Sequence, residues 1–283
     1  MPFIKKNNED FIIENDQIFL NKEYLEKNRK LFKKITGTRF SSILNLSQYV
    51  SPFKTWTIMV NIFKDVMDPT LAKVGNVVEP KVREYVEKQL GCKYLCYDPI
   101  AIKWDVFKEN KYFGGIPDGE PINNQQEIDY SKFPMLEIKT SSIDSFVYKK
   151  VNNALQMQKD ENGYPLIKEK GQKMRSWFDA NNQIQIPIEY QYQLGLYLYL
   201  RNIKKGLFAI TFLTQEDYVH PENYNVDNHE IFMINVDFIN VQEMDRQVKF
   251  AEEWYKKYIE TGVSPKMTDN DKVWLSSELG IKF

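Results

Sequence analysis

Two short stretches of the 283-residue chain carry residues suited to chemistry: Gly114-Gly115-Ile116-Pro117-Asp118-Gly119 and Leu136-Glu137-Ile138-Lys139-Thr140. Residues two apart on a strand face the same way. Glu137 and Lys139 therefore project together, while Ile138 points into the core. Pro117 and Gly119 set Asp118 on a turn at the end of a neighbouring strand. Two carboxylates and the Ile138 backbone carbonyl form a set of hard oxygen ligands suited to Mg²⁺ or Mn²⁺. Lys139 beside them would orient or deprotonate a water and offset charge on a phosphorane-like transition state. Phosphodiester hydrolysis needs these parts: an activated water, charge neutralisation and positioning. Taken singly, Glu-x-Lys is commonly an exposed charged pair and Pro-Asp-Gly is commonly a turn. Their order, with a strand beside each, carries the chemical reading.

Periodicity shows the elements that must position these residues. Residues 1 to 20 read as a short hairpin turning at Glu14-Asn15-Asp16-Gln17. Lys22 to Phe32 is helical in pattern, and a second short helix is expected from near Ser41. Val74, Val78, Val82, Val86 and Leu90 keep one helical phase across Pro80. This predicts a single kinked helix over 71 to 90, closed by Gly91. Strands are expected over Cys96 to Phe107, Tyr112 to Ile116 and Met135 to Thr140. An apolar helix follows at 188 to 201, then strands at 206 to 214 and 230 to 236. A long helix from Phe238 to Ile259 ends at Gly262 and Pro265. A polar insertion, 145 to 186, holds the hairpin signal Asn162-Gly163. The order predicts an α/β fold, a central mixed β-sheet flanked by helices. The expected organisation is an N-terminal extension (1–30), one domain over 31–265 carrying the insertion, and a C-terminal tail (266–283).

With these residues in place, the sequence resembles the PD-(D/E)XK nuclease superfamily, and within it the YqaJ and lambda-exonuclease branch, the viral-recombinase type. Gly75-Asn76-Val77-Val78-Glu79 is similar to that family's Gly-x-x-x-Glu helix, Ile116-Pro117-Asp118-Gly119 to its Pro-Asp-Gly turn, Leu136-Glu137-Ile138-Lys139 to its Glu-x-Lys strand, and Gln191-Tyr192-Gln193 to its Gln-x-Gln helix. The resemblance covers roughly residues 30 to 262 and implies a restriction-endonuclease-like core. It further implies a Mg²⁺- or Mn²⁺-dependent DNA nuclease, an exonuclease on linear duplex ends in recombination or DNA processing more than an endonuclease. By the same resemblance, Asp118, Glu137 and the Ile138 carbonyl would ligate the metal, with Glu79 completing the acidic site directly or through a water. Lys139 would act on the nucleophilic water and Gln191 would orient the Lys139 amine or the DNA. Gln193 is the weaker candidate, since it points about 200° away on the same helix. Lys34 and Ser41, seven apart with Arg39 between them, match the spacing of the family's 5′-phosphate site; a charged helix end with an N-cap serine accounts for them equally well. The ring-shaped trimer of lambda exonuclease leaves a homo-oligomer open.

Composition sets the boundaries. Hydrophobic residues at 42% and charged residues at 27% describe a globular chain. No apolar stretch approaches the ~20 residues of a membrane helix, and the N-terminus lacks an apolar leader core. A cytoplasmic protein without a membrane partner is expected. Cys92 and Cys96 are too few for a disulfide framework or an iron–sulfur cluster. His220 and His229 form no zinc motif and are expected in solvent. Tyr148, Tyr164, Trp177 and Phe178, in the insertion, are candidates for base stacking. Net charge is −1, yet it is unevenly placed: residues 22 to 39 hold seven basic against two acidic side chains, residues 141 to 176 seven against four, and residues 215 to 253 two against ten. The basic segments flank the proposed site, where phosphates would need them. A non-catalytic nucleic-acid-binding member of the fold is the alternative. The intact set Glu79, Asp118, Glu137, Lys139 and Gln191 speaks against it, because an acidic cluster without its metal is costly.

Overall fold

A computed structural model describes residues 9–64, 68–151, 154–237 and 240–280. The leader reading of residues 1 to 8 and the expected helix start at Phe238 lie outside them. The chain opens with a hairpin, β1 (Phe11–Glu14) and β2 (Gln17–Leu20). Asn15 and Asp16 take positive φ at its turn, the geometry that a two-residue hairpin loop demands. Four helices follow: α1 (Lys22–Asn28), α2 (Gly37–Ile43), α3 (Pro52–Met59) and α4 (Pro69–Leu90). Then come β3 (Lys93–Leu95), β4 (Glu120–Ile122) and β5 (Met135–Ser142). The insertion contributes β6 (Ser145–Phe146), β7 (Tyr148–Val151), β8 (Ala154–Met157), β9 (Ile167–Glu169) and α5 (Gln172–Arg175). The chain continues with α6 (Ile188–Leu200), β10 (Lys205–Leu213), α7 (Gln215–Val219), β11 (Ile231–Asp237), α8 (Val241–Trp254) and α9 (Asp269–Leu279).

The sheet runs β11-β10-β5, with β10 parallel to β5 and antiparallel to β11. A single antiparallel bridge, Gly119 to Leu136, joins β5 to the segment entering β4, and β4 pairs with β3. Strand alternation sorts the side chains. Leu136, Ile138, Leu207 and Ala209 pack against Val74, Val78, Val82 and Val86 of α4. Met135, Phe208, Ile210 and Phe212 pack against Leu194, Tyr197 and Leu198 of α6. Each of the four buried valines of α4 contributes about 1.5–3 kcal/mol through burial. Glu137 and Lys139 share the parity of Met135 and therefore look toward α6.

Helix α4 is continuous through Pro80 and ends at Gly91 in the left-handed conformation, φ 66°. Pro80 and Asn76 are both exposed, so the carbonyl that loses its amide partner can turn to water. Three expectations change. The stretches 96–107 and 112–116 form no strand beyond β3; their nearest equivalent is one bridge, Ile35 to Phe113. Asp98, Asp105 and Asn110 accept backbone N–H groups two or three residues on, and these local bonds replace a ladder. Helix α2 begins at Gly37 rather than near Ser41, and α8 gives way to a π-helical turn over Tyr255–Ile259.

Neither residues 9–30 nor residues 266–280 stand apart from the domain. Leu20 N–H donates to Gly262 O at 2.8 Å, and Ser264 N–H to Ile18 O at 2.8 Å. Phe11, Ile18, Tyr24, Met267 and Leu275 share one buried cluster with Phe40, Trp56 and Trp254. The expected extension and tail are walls of the core. No helix among the described residues is long and apolar enough to cross a membrane.

Candidate active site

Four of the expected site residues converge where α4, the Asp118 turn and β5 meet. Beyond the Gly119–Leu136 bridge the β4 segment departs, leaving the edge of β5 open at Ile138. Ile138 N–H donates to Asp118 Oδ2 at 2.8 Å, so the side chain substitutes for the missing strand. By strand alternation the Ile138 carbonyl leaves on that same edge. Arg83, one turn beyond Glu79 on α4, donates from Nε to the Asp118 carbonyl at 3.1 Å and fixes the turn. A Cβ on Gly75 would lie 3.3 Å from Glu79 Oε1. The Gly-x-x-x-Glu spacing thus clears the space into which the glutamate folds back.

Glu137 is fully buried. Its Oε1 accepts from Lys139 Nζ at 2.6 Å and from Gln193 Nε2 at 2.6 Å, and Gln193 Oε1 lies 3.3 Å from Lys139 Nζ. Lys139 Nζ also stands 4.8 Å from the centroid of the Tyr190 ring, a cation–π contact. Burial, then the Asp118 charge, pushes the Glu137 carboxyl up to about 8 against the pull of Lys139. Burial and Asp118 push Glu79 up to about 7 against Lys139 and Arg83. Burial also raises Asp118, opposed by Lys139. Burial works against the Lys139 charge, but Glu137 and Asp118 outweigh it and hold the ammonium protonated.

These carboxyls can be tested for a cation. Among the described residues, no three His, Cys, Asp or Glu side chains already enclose an ion position. A hard octahedral cation does not require such a cage, since it keeps several waters and takes one or two carboxylates. Glu137 Oε2 is buried without any hydrogen-bond partner. Without a cation that buried carboxyl holds its proton, and a bound cation would take the proton's place at the unpartnered oxygen. With Asp118 and the Ile138 carbonyl alongside, the donors are all hard oxygens, and the set fits Mg²⁺ or Mn²⁺.

A stability prediction follows. In the fold, Glu137 and Glu79 keep protons that an unfolded chain has already released near the ordinary carboxylate range. The native state therefore binds more protons from about pH 4.5 up to about pH 8. Stability must fall as pH rises through that window. Lys139 is charged in both states there and adds no slope. Thermal scans of the metal-free protein should show Tm dropping from pH 6 to 8.5, with a clearly flatter profile for Glu137→Gln.

The glutamine assignment is reversed. Gln191 is exposed, donates to Ile186 O at 2.7 Å and borders a groove with Ile188, Asn240 and Glu243. Gln193 faces the site. The two do point apart on the helix, but the inward one is Gln193. Tyr190 and Tyr197 lie on the same stripe as Gln193; Tyr197, one turn on, receives Gly37 N–H on its hydroxyl at 3.3 Å. Tyr190 and Tyr197 sit in an apolar run whose composition gives no sign of their place beside the site.

The expected phosphate set is also turned inward. Lys34 Nζ donates to Asp105 Oδ2 at 2.8 Å and to the carbonyls of Phe107 and Lys108. Buried Ser41 donates its hydroxyl to Thr38 O. Arg39 is half-buried and donates to Lys34 O at 2.8 Å. Short α2 packs too closely on α6 to open these groups outward: a Cβ on Gly37 would lie 2.5 Å from Gln193 Cγ. In the insertion, Trp177 is buried rather than free to stack on bases. His229 is not in open solvent; its Nε2 lies 2.9 Å from Asp217 Oδ2, and its ring packs on Tyr224.

The model of the YqaJ-like viral recombinase domain matches residues 23–202. The chain belongs to that family. This YqaJ-like chain is 51% identical over 283 residues to an uncharacterized protein of Mycoplasma genitalium, covering 100% of each. It is 46% identical over 276 residues to a homolog in Mycoplasma pneumoniae, covering 97% of this chain and 98% of that one. Among solved structures it is similar to an alkaline exonuclease from Laribacter hongkongensis, at 12% identity and TM-score 0.47, covering 85% of this chain and 95% of that one. It is also similar to a phage related exonuclease from Haemophilus somnus, at 10% identity and TM-score 0.49, covering 82% and 96% respectively.

Proposed function

We propose that this YqaJ-like protein is a Mg²⁺-dependent deoxyribonuclease, an exonuclease on linear duplex DNA in recombination or DNA processing. The observation that carries the reading is Glu137: a buried carboxylate with one oxygen held by Lys139 and Gln193 and the other left without a partner beside Asp118. Asp118, Glu137 and the Ile138 carbonyl would hold the ion, with Glu79 placed to reach it directly or through a water. When bound, the ion supplies Lewis acidity and a water of lowered pKa. The chain's own residues do the rest. Lys139, kept charged and aimed by Glu137 and Tyr190, orients the attacking water and faces the charge that develops on the phosphoryl oxygens. Gln193 fixes both partners of that ion pair. The floor of apolar residues from β5 and α6 excludes bulk water and strengthens these interactions.

Purified protein should shorten a 5′-end-labelled linear duplex with Mg²⁺ and leave a covalently closed circle of the same sequence intact. Cutting of the circle would make it an endonuclease. Binding of both without cleavage would make it a binding protein. The two glutamines separate cleanly in the same assay. Gln193→Ala should lower kcat by about 10- to 100-fold, the scale of losing one positioned polar group, while Gln191→Ala stays within about 3-fold of wild type.

A further inference from the structure

We propose that Tyr49 and Lys173 form a nucleotide-binding subsite beside the candidate active site, Lys173 for a backbone phosphate and Tyr49 for the face of a base. The inference rests on the nuclease reading above and names how that site would hold its substrate.

The connection to the catalytic centre is made of ring contacts. Tyr190, over which Lys139 stands, is itself stacked on Trp177 at 5.6 Å and 23°. Trp177 is 3% exposed and also packs edge-on against Phe212. Its N–H donates to Met174 O at 2.9 Å, which ties it to the turn formed by α5. Lys173 lies on α5, so the insertion presents this lysine within one turn of the residue that backs Tyr190. Lys173 Nζ reaches across to Tyr49, 3.4 Å from its hydroxyl and 5.9 Å from its ring centroid. Burial raises the Tyr190 phenol, Lys139 and Lys173 oppose the rise, and Glu189 and Tyr49 add to it.

The chemistry of the pair is what a nucleic-acid strand needs. No carboxylate among the described residues pairs with Lys173; its ammonium meets the Tyr49 hydroxyl and ring instead. By contrast, neighbouring Arg175 pairs with Glu169, and Lys150 pairs with Glu278. Tyr49 is 69% exposed, so its ring is offered to solvent rather than buried. It is not loosely placed, since Ser47 Oγ accepts the N–H groups of both Tyr49 and Val50. A polyanion with one phosphate at Lys139 has neighbouring phosphates to place, and the Tyr190–Trp177 stack leads from Lys139 to the turn that carries Lys173. There it meets a cation free of acidic competition and an aromatic face of the kind on which bases stack without sequence preference. The two residues come from distant parts of the chain, one from the loop after α2 and the other from the insertion.

The test is anisotropy of the full chain in EDTA with a fluorescent 20-base-pair duplex and its single strand, across a series of salt concentrations. Lys173→Ala should weaken binding by about 5-fold and reduce the slope of log K against log salt by about 1. Tyr49→Ala should weaken binding of the single strand by about 10-fold while Tyr49→Phe stays within about 2-fold, because the ring rather than the hydroxyl is used. Unchanged Tm values would show that these surface variants fold. Wild-type affinity and slope in both alanine variants, with linear duplex still cleaved by the wild type, would overturn the subsite and leave the nuclease reading standing. A Phe variant as weak as the Ala variant would overturn base stacking. A wild-type chain that neither binds nor cleaves DNA would overturn both readings.

Discussion

Lys139→Ala is expected to lower the rate of duplex digestion by about 10³-fold, at the upper end of what removing one transition-state donor costs. The reasons are local. Lys139 supplies the one ammonium held against Glu137, at 2.6 Å, and against the Tyr190 ring. Without it Glu137 keeps only the Gln193 amide. Arginine should not restore the activity, because a planar fork cannot occupy the place of a compact point charge between a buried carboxylate and an aromatic face. Glu137→Ala should be equally inactive through loss of both the buried oxygen donor and the group that aims Lys139. Rates measured on the end-labelled duplex, with Tm as a control for folding, check both variants. Unchanged activity in the two would remove the site from where it has been placed.

Glu120→Ala is expected to be the most destabilising single substitution near the site. Glu120 is fully buried and accepts from Arg201 through Nε at 2.6 Å and Nη2 at 2.8 Å, and from the hydroxyls of Tyr97 and Tyr130. Burial first, and then Glu120 itself, hold both phenols protonated far above their ordinary range. The Arg201 guanidinium lies 4.8 Å from the Phe107 ring centroid. Removing one member of a buried ion pair costs about 3–5 kcal/mol because its partner is left uncompensated. In a chain of this size that is a fall in Tm of roughly 10 °C. The network has a second role. Glu120 follows Asp118 by two residues, and Arg201 directly follows the last residue of α6, the helix that carries Gln193. The pair thus fixes the Asp118 turn relative to that helix. A calorimetric scan showing a drop of less than about 2 °C would contradict this account. A Glu120→Ala, Arg201→Met double variant should lose less than the sum of the singles.

The parts of the site legible in the sequence are those set by local rules. Strand parity places Glu137 and Lys139 together, turn chemistry places Asp118, and an unbroken valine phase places Glu79 on a helix that packs under Ile138. Which of Gln191 and Gln193 faces the site was not legible, because α6 mixes polar and apolar residues with little amphipathic contrast. The usable signal was the spacing of Tyr190, Gln193 and Tyr197, which put three polar-tipped side chains on one stripe. The strands expected between 96 and 116 do not form, because Asp98, Asp105 and Asn110 tie up the backbone locally. The roles of residues 9 to 30 and 266 to 280 depend on contacts between the two ends of the chain, which no local pattern reports. The inward turn of Lys34 is of the same kind, since Asp105 is distant in sequence.

The measurement that bears most directly on the central claim is digestion of a linear duplex by the wild-type protein stripped with EDTA and then given back Mg²⁺ or Mn²⁺. The account predicts no cleavage in EDTA and full restoration by millimolar Mg²⁺, with no restoration in Glu137→Ala. Cleavage that persists in EDTA, or that never appears with either cation, would contradict it.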